Sequence, residues 1–143
     1  SAVIIKISRA LGLRVDTLLE VDNISGPVFT KAGEMHNSTN FSNGKASHPD
    51  FVNYSSLTHG KNNCSINPFI VEIKSNDNKI MSSQEGEESI YVLEGSAEVV
   101  YGNQTYSLEK GDSLYFDSVV SHCVKAKNGG SVKLLAVLYS PIN

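Results

Sequence analysis

Side chains able to hold metals or carry reactive sulfur are scarce in this chain: four histidines and two cysteines among 143 residues. Cys64 and Cys123 could form at most one bridge, and neither lies in a Cys-x-x-Cys pair or a Cys/His cluster of zinc spacing. They read as reduced thiols, at home in a reducing compartment. His36 and His48 stand alone in a polar stretch, and His59 sits in a polar loop beside Gly60. A histidine so placed is most simply a solvated surface group. His122 differs, because it opens a run of strand character, His122 to Ala126. The other notable stretch is Ser82-Ser83-Gln84-Glu85-Gly86-Glu87-Glu88-Ser89-Ile90-Tyr91-Val92-Leu93-Glu94-Gly95. It is a polar approach, an apolar burst of strand length, then a glycine. Tyr91, Tyr101, Tyr106 and Tyr115 are scattered through strand-like segments and read as packing rather than as a ligand cage.

The elements that must position these residues are short. Ala97 to Tyr101, Gln104 to Leu108, Ser113 to Asp117, His122 to Ala126 and Val132 to Tyr139 are all of strand length. Turn signals fall between them: Gly102-Asn103, Lys110-Gly111-Asp112 and Asn128-Gly129-Gly130. That rhythm predicts an antiparallel sandwich or small barrel, not alternating strands and helices. Upstream, Phe51 to Tyr54 and Pro68 to Ile73 are further strand candidates, joined across a polar loop, Thr58 to Asn63. In the second, Phe69, Val71 and Ile73 alternate with Ile70, Glu72 and Lys74, the period of a strand with one buried face.

The length suits one domain with a self-sufficient core. Charged residues are 19% and the formal net charge is -3, which leaves no basic footprint for nucleic acid. Asn-x-Ser/Thr triplets such as Asn37-Ser38-Thr39 and Asn103-Gln104-Thr105 are expected by chance in a chain so rich in Asn and Ser. No apolar run is long enough to span a bilayer, so no membrane partner is expected and the expected setting is cytoplasmic. Residues 1–20 read differently. Val3, Ile4, Ile7, Ala10 and Leu11 recur at three- and four-residue intervals, the period of an amphipathic helix, and Gly12 suits its end. Asp16 can then cap a second short helix through Leu18, Leu19 and Glu20. Residues 21–50 carry Gly, Ser, Asn and Thr with little periodicity, as a linker does, with an edge strand expected near Val28 to Thr30.

Two resemblances give these pieces a context. Ile4-Ile5-Lys6-Ile7-Ser8-Arg9-Ala10-Leu11-Gly12-Leu13, followed by Asp16-Thr17-Leu18-Leu19-Glu20, resembles the last part of a lambda-repressor-like helix-turn-helix domain. The helix that would enter the major groove lies upstream of these residues in that family, so residue 1 falls inside the motif and DNA is expected as a partner only through the missing part. From Ser82 onward the chain resembles the cupin family, a jelly-roll barrel or double-stranded β-helix. That family's first motif runs His-x-His, three or four residues, Glu, six residues, Gly; Glu88 and Gly95 fit its last two members. The second motif begins with glycine and reaches a histidine eleven residues later, as Gly111 and His122 do. The implied fold is mainly β, a cupin barrel with a short N-terminal helical segment. The implied organisation is 1–20 as the end of a helix-turn-helix domain, 21–50 as linker and 51–143 as the cupin domain.

What the cupin resemblance implies about chemistry is a cage of His-x-His, Glu and His suited to Fe, Mn, Ni or Zn. Here the His-x-His positions hold Ser82 and Gln84, and only Glu88 and His122 are strong ligands. A tightly bound metal is therefore not expected, and Glu88 and His122 are expected to meet in a charge-assisted hydrogen bond. Asp117 and Val119 also stand where the second motif often has proline and glycine. Parity with Glu88 and His122 places Ile90, Val92 and Val124 inside the barrel, so that Ser82, Gln84, Glu88, Ile90, Val92, His122 and Val124 outline a small-molecule site. The implied function is an effector-sensing, dimerising cupin domain of a bacterial-type DNA-binding transcriptional regulator, with a small molecule in the barrel and a homodimer as the assembly. The alternative is a mononuclear metal-dependent cupin enzyme, oxygenase- or epoxidase-like, using Glu88 and His122.

Overall fold

A computed structural model describes residues 24–35, 41–42, 45–46 and 50–141 of the chain. The helical segment expected over residues 1–20, and His36 and His48, lie outside the described residues. Ten strands occur among those described: β1 (Phe41–Ser42), β2 (Lys45–Ala46), β3 (Val52–Ser56), β4 (Ile66–Lys74), β5 (Glu87–Gly95), β6 (Ala97–Tyr101), β7 (Gln104–Leu108), β8 (Ser113–Asp117), β9 (His122–Ala126) and β10 (Ser131–Tyr139). Every pairing is antiparallel. One sheet has the order β3-β4-β10-β5-β8 and a second has β7-β6-β9. The antiparallel sandwich or small barrel predicted by the strand rhythm, and the mainly β jelly roll implied by the cupin resemblance, agree with the architecture observed.

The core forms because the strands alternate. On β10, Val132, Leu134, Ala136 and Leu138 are buried and the residues between them are not. β4 buries Phe69, Val71 and Ile73 on the same side, and β5 buries Ile90 and Val92. The facing sheet contributes Ala97, Val99, Leu108 and Val124 to the same apolar cluster. Each of these side chains leaves water for a close-packed interior, at roughly 1.5–3 kcal/mol for a fully buried Val, Leu, Ile or Phe. That burial, summed over both inner faces, holds the sheets together.

The register is maintained by a bulge and two glycines. Between Lys133 and Leu134 the pairing with β5 shifts, so that Lys133 faces Glu94 while Leu134 faces Val92. Leu93 is the extra residue, and the bulge it forms keeps Val92 on the inner face. Gly95 has φ +77, and a Cβ there would lie 2.1 Å from the Ser131 carbonyl oxygen. At the other end of β5, Gly86 has φ +122 and a Cβ there would lie 2.1 Å from the Tyr139 carbonyl oxygen. Only glycine tolerates both the conformation and the approach.

The stretch before the barrel departs from expectation. Val28 to Thr30 form no strand: Phe29 is exposed and a 3₁₀ turn, Ala32–Glu34, follows. No strand edge among the described residues pairs with these three residues, so no ladder bonds offset the cost of ordering them. A small hairpin, β1 with β2, occurs instead, pairing Phe41 with Ala46 and Ser42 with Lys45. Its signal in the sequence is Asn43-Gly44, the dipeptide favoured in two-residue hairpin loops. The Ile24 amide donates to the Gly60 carbonyl at 2.7 Å, and Lys61 Nζ donates to the Gly26 carbonyl. The stretch is thus tied to the β3–β4 loop. No helix among the described residues is long and apolar enough to cross a membrane.

Candidate functional site

The site lies where the two sheets meet at one end of the barrel. Glu88 is the second residue of β5 and alternates inward with Ile90 and Val92. His122 is the first residue of β9, on the other sheet. The loop 118–121 carries the chain between the sheets and is pinned along its length. Ser118 N donates to the Gly86 carbonyl at 3.0 Å, Gln84 N to the Ser118 carbonyl at 3.0 Å, and Gly102 N to the Ser121 carbonyl at 2.7 Å. Ser82 and His122 exchange two backbone hydrogen bonds, at 2.8 and 2.9 Å. The polar approach segment is therefore the neighbour that fixes His122.

Glu88 and His122 are 1% and 0% exposed, and Glu88 Oε2 lies 3.0 Å from His122 Nε2. His122 Nδ1 is 2.7 Å from the Val120 carbonyl oxygen. A carbonyl only accepts, so Nδ1 carries a proton. The approach of Nε2 to Oε2 is that of an ion pair when the imidazole is protonated. Ser118 Oγ donates to the same Oε2 at 2.8 Å. The other oxygen, Glu88 Oε1, is buried with no hydrogen-bond partner among the described residues. The imidazole also packs edge-on against Phe116 at 5.0 Å between centroids, and Phe116 against Tyr101 at 5.2 Å. Tyr101 OH then donates to the Asp117 carbonyl at 3.0 Å. A chain of ring contacts and one hydrogen bond thus limits the freedom of both members of the pair.

The residues marked out in the sequence are distributed as follows. Glu88 and His122 are in contact. Ser82 and Gln84 are half-buried between exposed neighbours Met81, Ser83 and Glu85, which places them on the inner side of their segment. Ile90, Val92 and Val124 are fully buried members of the apolar cluster. Beyond Ser55 on β3, two buried polar residues lie outside the set read from the sequence. Ser118 holds Glu88, but nothing in its sequence setting marks it. Asn67 is 0% exposed and directly precedes Pro68, where the strand was expected to start. The strand begins at Ile66, and parity with Phe69 then turns Asn67 inward.

The donors do not fit a tightly held transition metal. No group of three or more His, Cys, Asp or Glu side chains that could hold an ion occurs among the described residues. His122 Nδ1 is committed to the Val120 carbonyl, and the hydroxyl and amide at positions 82 and 84 are weak donors. The thiols add nothing to the set: Cys64 and Cys123 are not joined in a disulfide, and burial pushes the Cys123 thiol pKa up, keeping it protonated.

Residues 69–138 match the cupin domain model. No curated protein matches the sequence. Among solved structures, the hydroxypropylphosphonic acid epoxidase from S. wedmorenis is 25% identical, with a TM-score of 0.62 over 82% of this chain and 62% of that one. An iron(II) form of HppE is 24% identical, with a TM-score of 0.63 over 82% and 63%. An HTH_3 family transcriptional regulator from Vibrio cholerae is 21% identical, with a TM-score of 0.55 over 64% and 52%. The chain thus spans less than two thirds of the length of each. Strand order, inward parity and the glycine-bounded β5 agree with the match of residues 69–138 to the cupin domain model.

Proposed function

We propose that this cupin domain is the effector-sensing and dimerising part of a bacterial-type DNA-binding transcriptional regulator, working in the cytoplasm. The observation that carries the reading is the closed Glu88–His122 contact, with Ser82 and Gln84 at the positions where the cupin motif has histidines. A polar cluster built this way recognises a small molecule by hydrogen bonding and lacks the ligands of a catalytic metal centre. The resemblance of residues 4–20 to the end of a helix-turn-helix domain, and the fold shared with the Vibrio cholerae regulator, support the same reading. Regulation would be a population shift, in which the effector binds one arrangement of the dimer better than another and so changes DNA affinity. The test uses the protein expressed with the sequence preceding residue 1 in its gene. Fluorescence anisotropy on genomic fragments, with and without a metabolite panel, should give an affinity that moves with one ligand class. Failure to bind any fragment would refute the reading, as would a monomer by analytical ultracentrifugation.

A second reading rests on the epoxidase similarity over 82% of this chain. In it, the domain is a mononuclear metal-dependent enzyme, oxygenase- or epoxidase-like, with Glu88 and His122 as metal ligands. Metal analysis after supplementation with ferrous, manganese, nickel and zinc ions decides it. A stoichiometric ion lost in a His122→Ala variant supports the enzyme, and substoichiometric metal throughout rejects it.

A further inference from the structure

Cross-strand register places two unsatisfied acceptors in one row of the barrel wall. Leu138 of β10 faces Asn67 on one side and Glu88 on the other, and Glu88 faces Phe116 of β8. All four are buried, on the inner face, at the end that holds His122. Asn67 Nδ2 donates to the Cys64 carbonyl at 3.2 Å, which fixes the orientation of the amide, since that carbonyl can only accept. Asn67 Oδ1 is left without a partner among the described residues, as is Glu88 Oε1. A buried acceptor without a donor is disfavoured unless something supplies one. Two such oxygens in one row, one of them on a carboxylate, make an unpaired surface of a single polarity.

We infer that Asn67 Oδ1 and Glu88 Oε1 are the two poles of one ligand subsite, selecting a small neutral or cationic molecule with at least two N–H or O–H donors, such as an amino alcohol. The subsite opposes anions, because both unpaired atoms are acceptors. That separates its ligand class from phosphonic acids such as the substrate named for the epoxidase. Two strand spacings put the Cα atoms of Asn67 and Glu88 about 10 Å apart.

The inference rests on the reading of the barrel as a small-molecule sensor, and its test separates the two. Calorimetry and thermal shift on the full chain would use 4-amino-1-butanol and meso-erythritol against succinate and propylphosphonate. The amino alcohol should bind at least tenfold more tightly than either anion. Asn67→Leu should weaken it about tenfold or more, and Glu88→Gln should weaken the amino alcohol more than erythritol. Should a variant not fold, the selectivity of the unaltered protein decides alone. Equal or tighter binding of the anions overturns the inference, and so does binding of none of the probes, since water then fills the acceptors. If the gene-length protein responds to an anionic effector, the sensor reading stands and this inference falls. If donor-rich probes bind but DNA affinity never moves, this inference stands and the regulatory reading falls.

Discussion

The two ends of the inner face of β5 have the same backbone design and opposite side-chain chemistry. Each end crosses β10 through a glycine whose Cβ would lie 2.1 Å from a carbonyl oxygen, Ser131 at one end and Tyr139 at the other. Near Gly95 the inner row is Val71, Leu134 and Val92, apolar and fully buried. Near Gly86 the equivalent row is Asn67, Leu138, Glu88 and Phe116, equally buried but with two acceptors unpaired. The apolar end shows that a fully apolar row can close this sheet. On the proposed reading the barrel separates holding itself together from recognising a ligand, on the same strands a few residues apart.

Substitutions can break that contrast. Glu88→Leu alone should give the largest loss, about 3–5 kcal/mol, because it leaves His122 and Ser118 buried without their acceptor. Urea denaturation measures it. Leu134→Ala at the apolar end should cost somewhat less, about 3 kcal/mol by the same measurement, with ligand selectivity unchanged. If instead it abolished selectivity, the two ends would not be separable. The paired change Glu88→Leu with His122→Phe removes both charges while keeping volume, and should restore stability to at least the wild-type level with binding lost. A double variant as unstable as the single one would mean that the pair is structural rather than retained for recognition.

Much of this was legible because strand parity is a strong signal. Glu88, Ile90 and Val92 alternate within one uninterrupted run, so fixing one as inward fixed all three. Gly95 and His122 were found through motif spacing, and the structure supplies a reason for the glycine: a positive φ beside another strand's backbone. Ser118 was illegible because its role depends on the loop carrying it over to the other sheet, which no local pattern encodes. Asn67 was missed by a boundary error, since Pro68 suggests a strand's first residue and the ladder extends past it to Ile66. Between Val28 and Thr30 the composition favoured a strand, but no partner edge pairs with it, and propensity without a partner gives no ladder.

Neighbouring carboxylates on β5 sharpen the contrast at its smallest scale. Glu87 points outward and accepts a hydrogen bond from Tyr115 OH, while Glu88 points inward to His122 and Ser118. The hydrogen bond to Glu87 raises the Tyr115 pKa from 10.0 to about 12, because losing the phenolic proton would destroy it and set two negative charges side by side. The stabilisation belongs to the protonated phenol. It is fully present below pH 10, the unfolded value, and is lost as pH rises through about 12. Phenolate absorbance should show a step near pH 12 that a Tyr115→Phe variant lacks. Glu87→Gln should return it towards 10 with little change in melting temperature at neutral pH, since Tyr115 is 61% exposed and the bond is solvent-screened. If Glu87→Gln lowered stability as much as Glu88→Leu, the outer face would matter as much as the inner one, and the division of labour along β5 would fail.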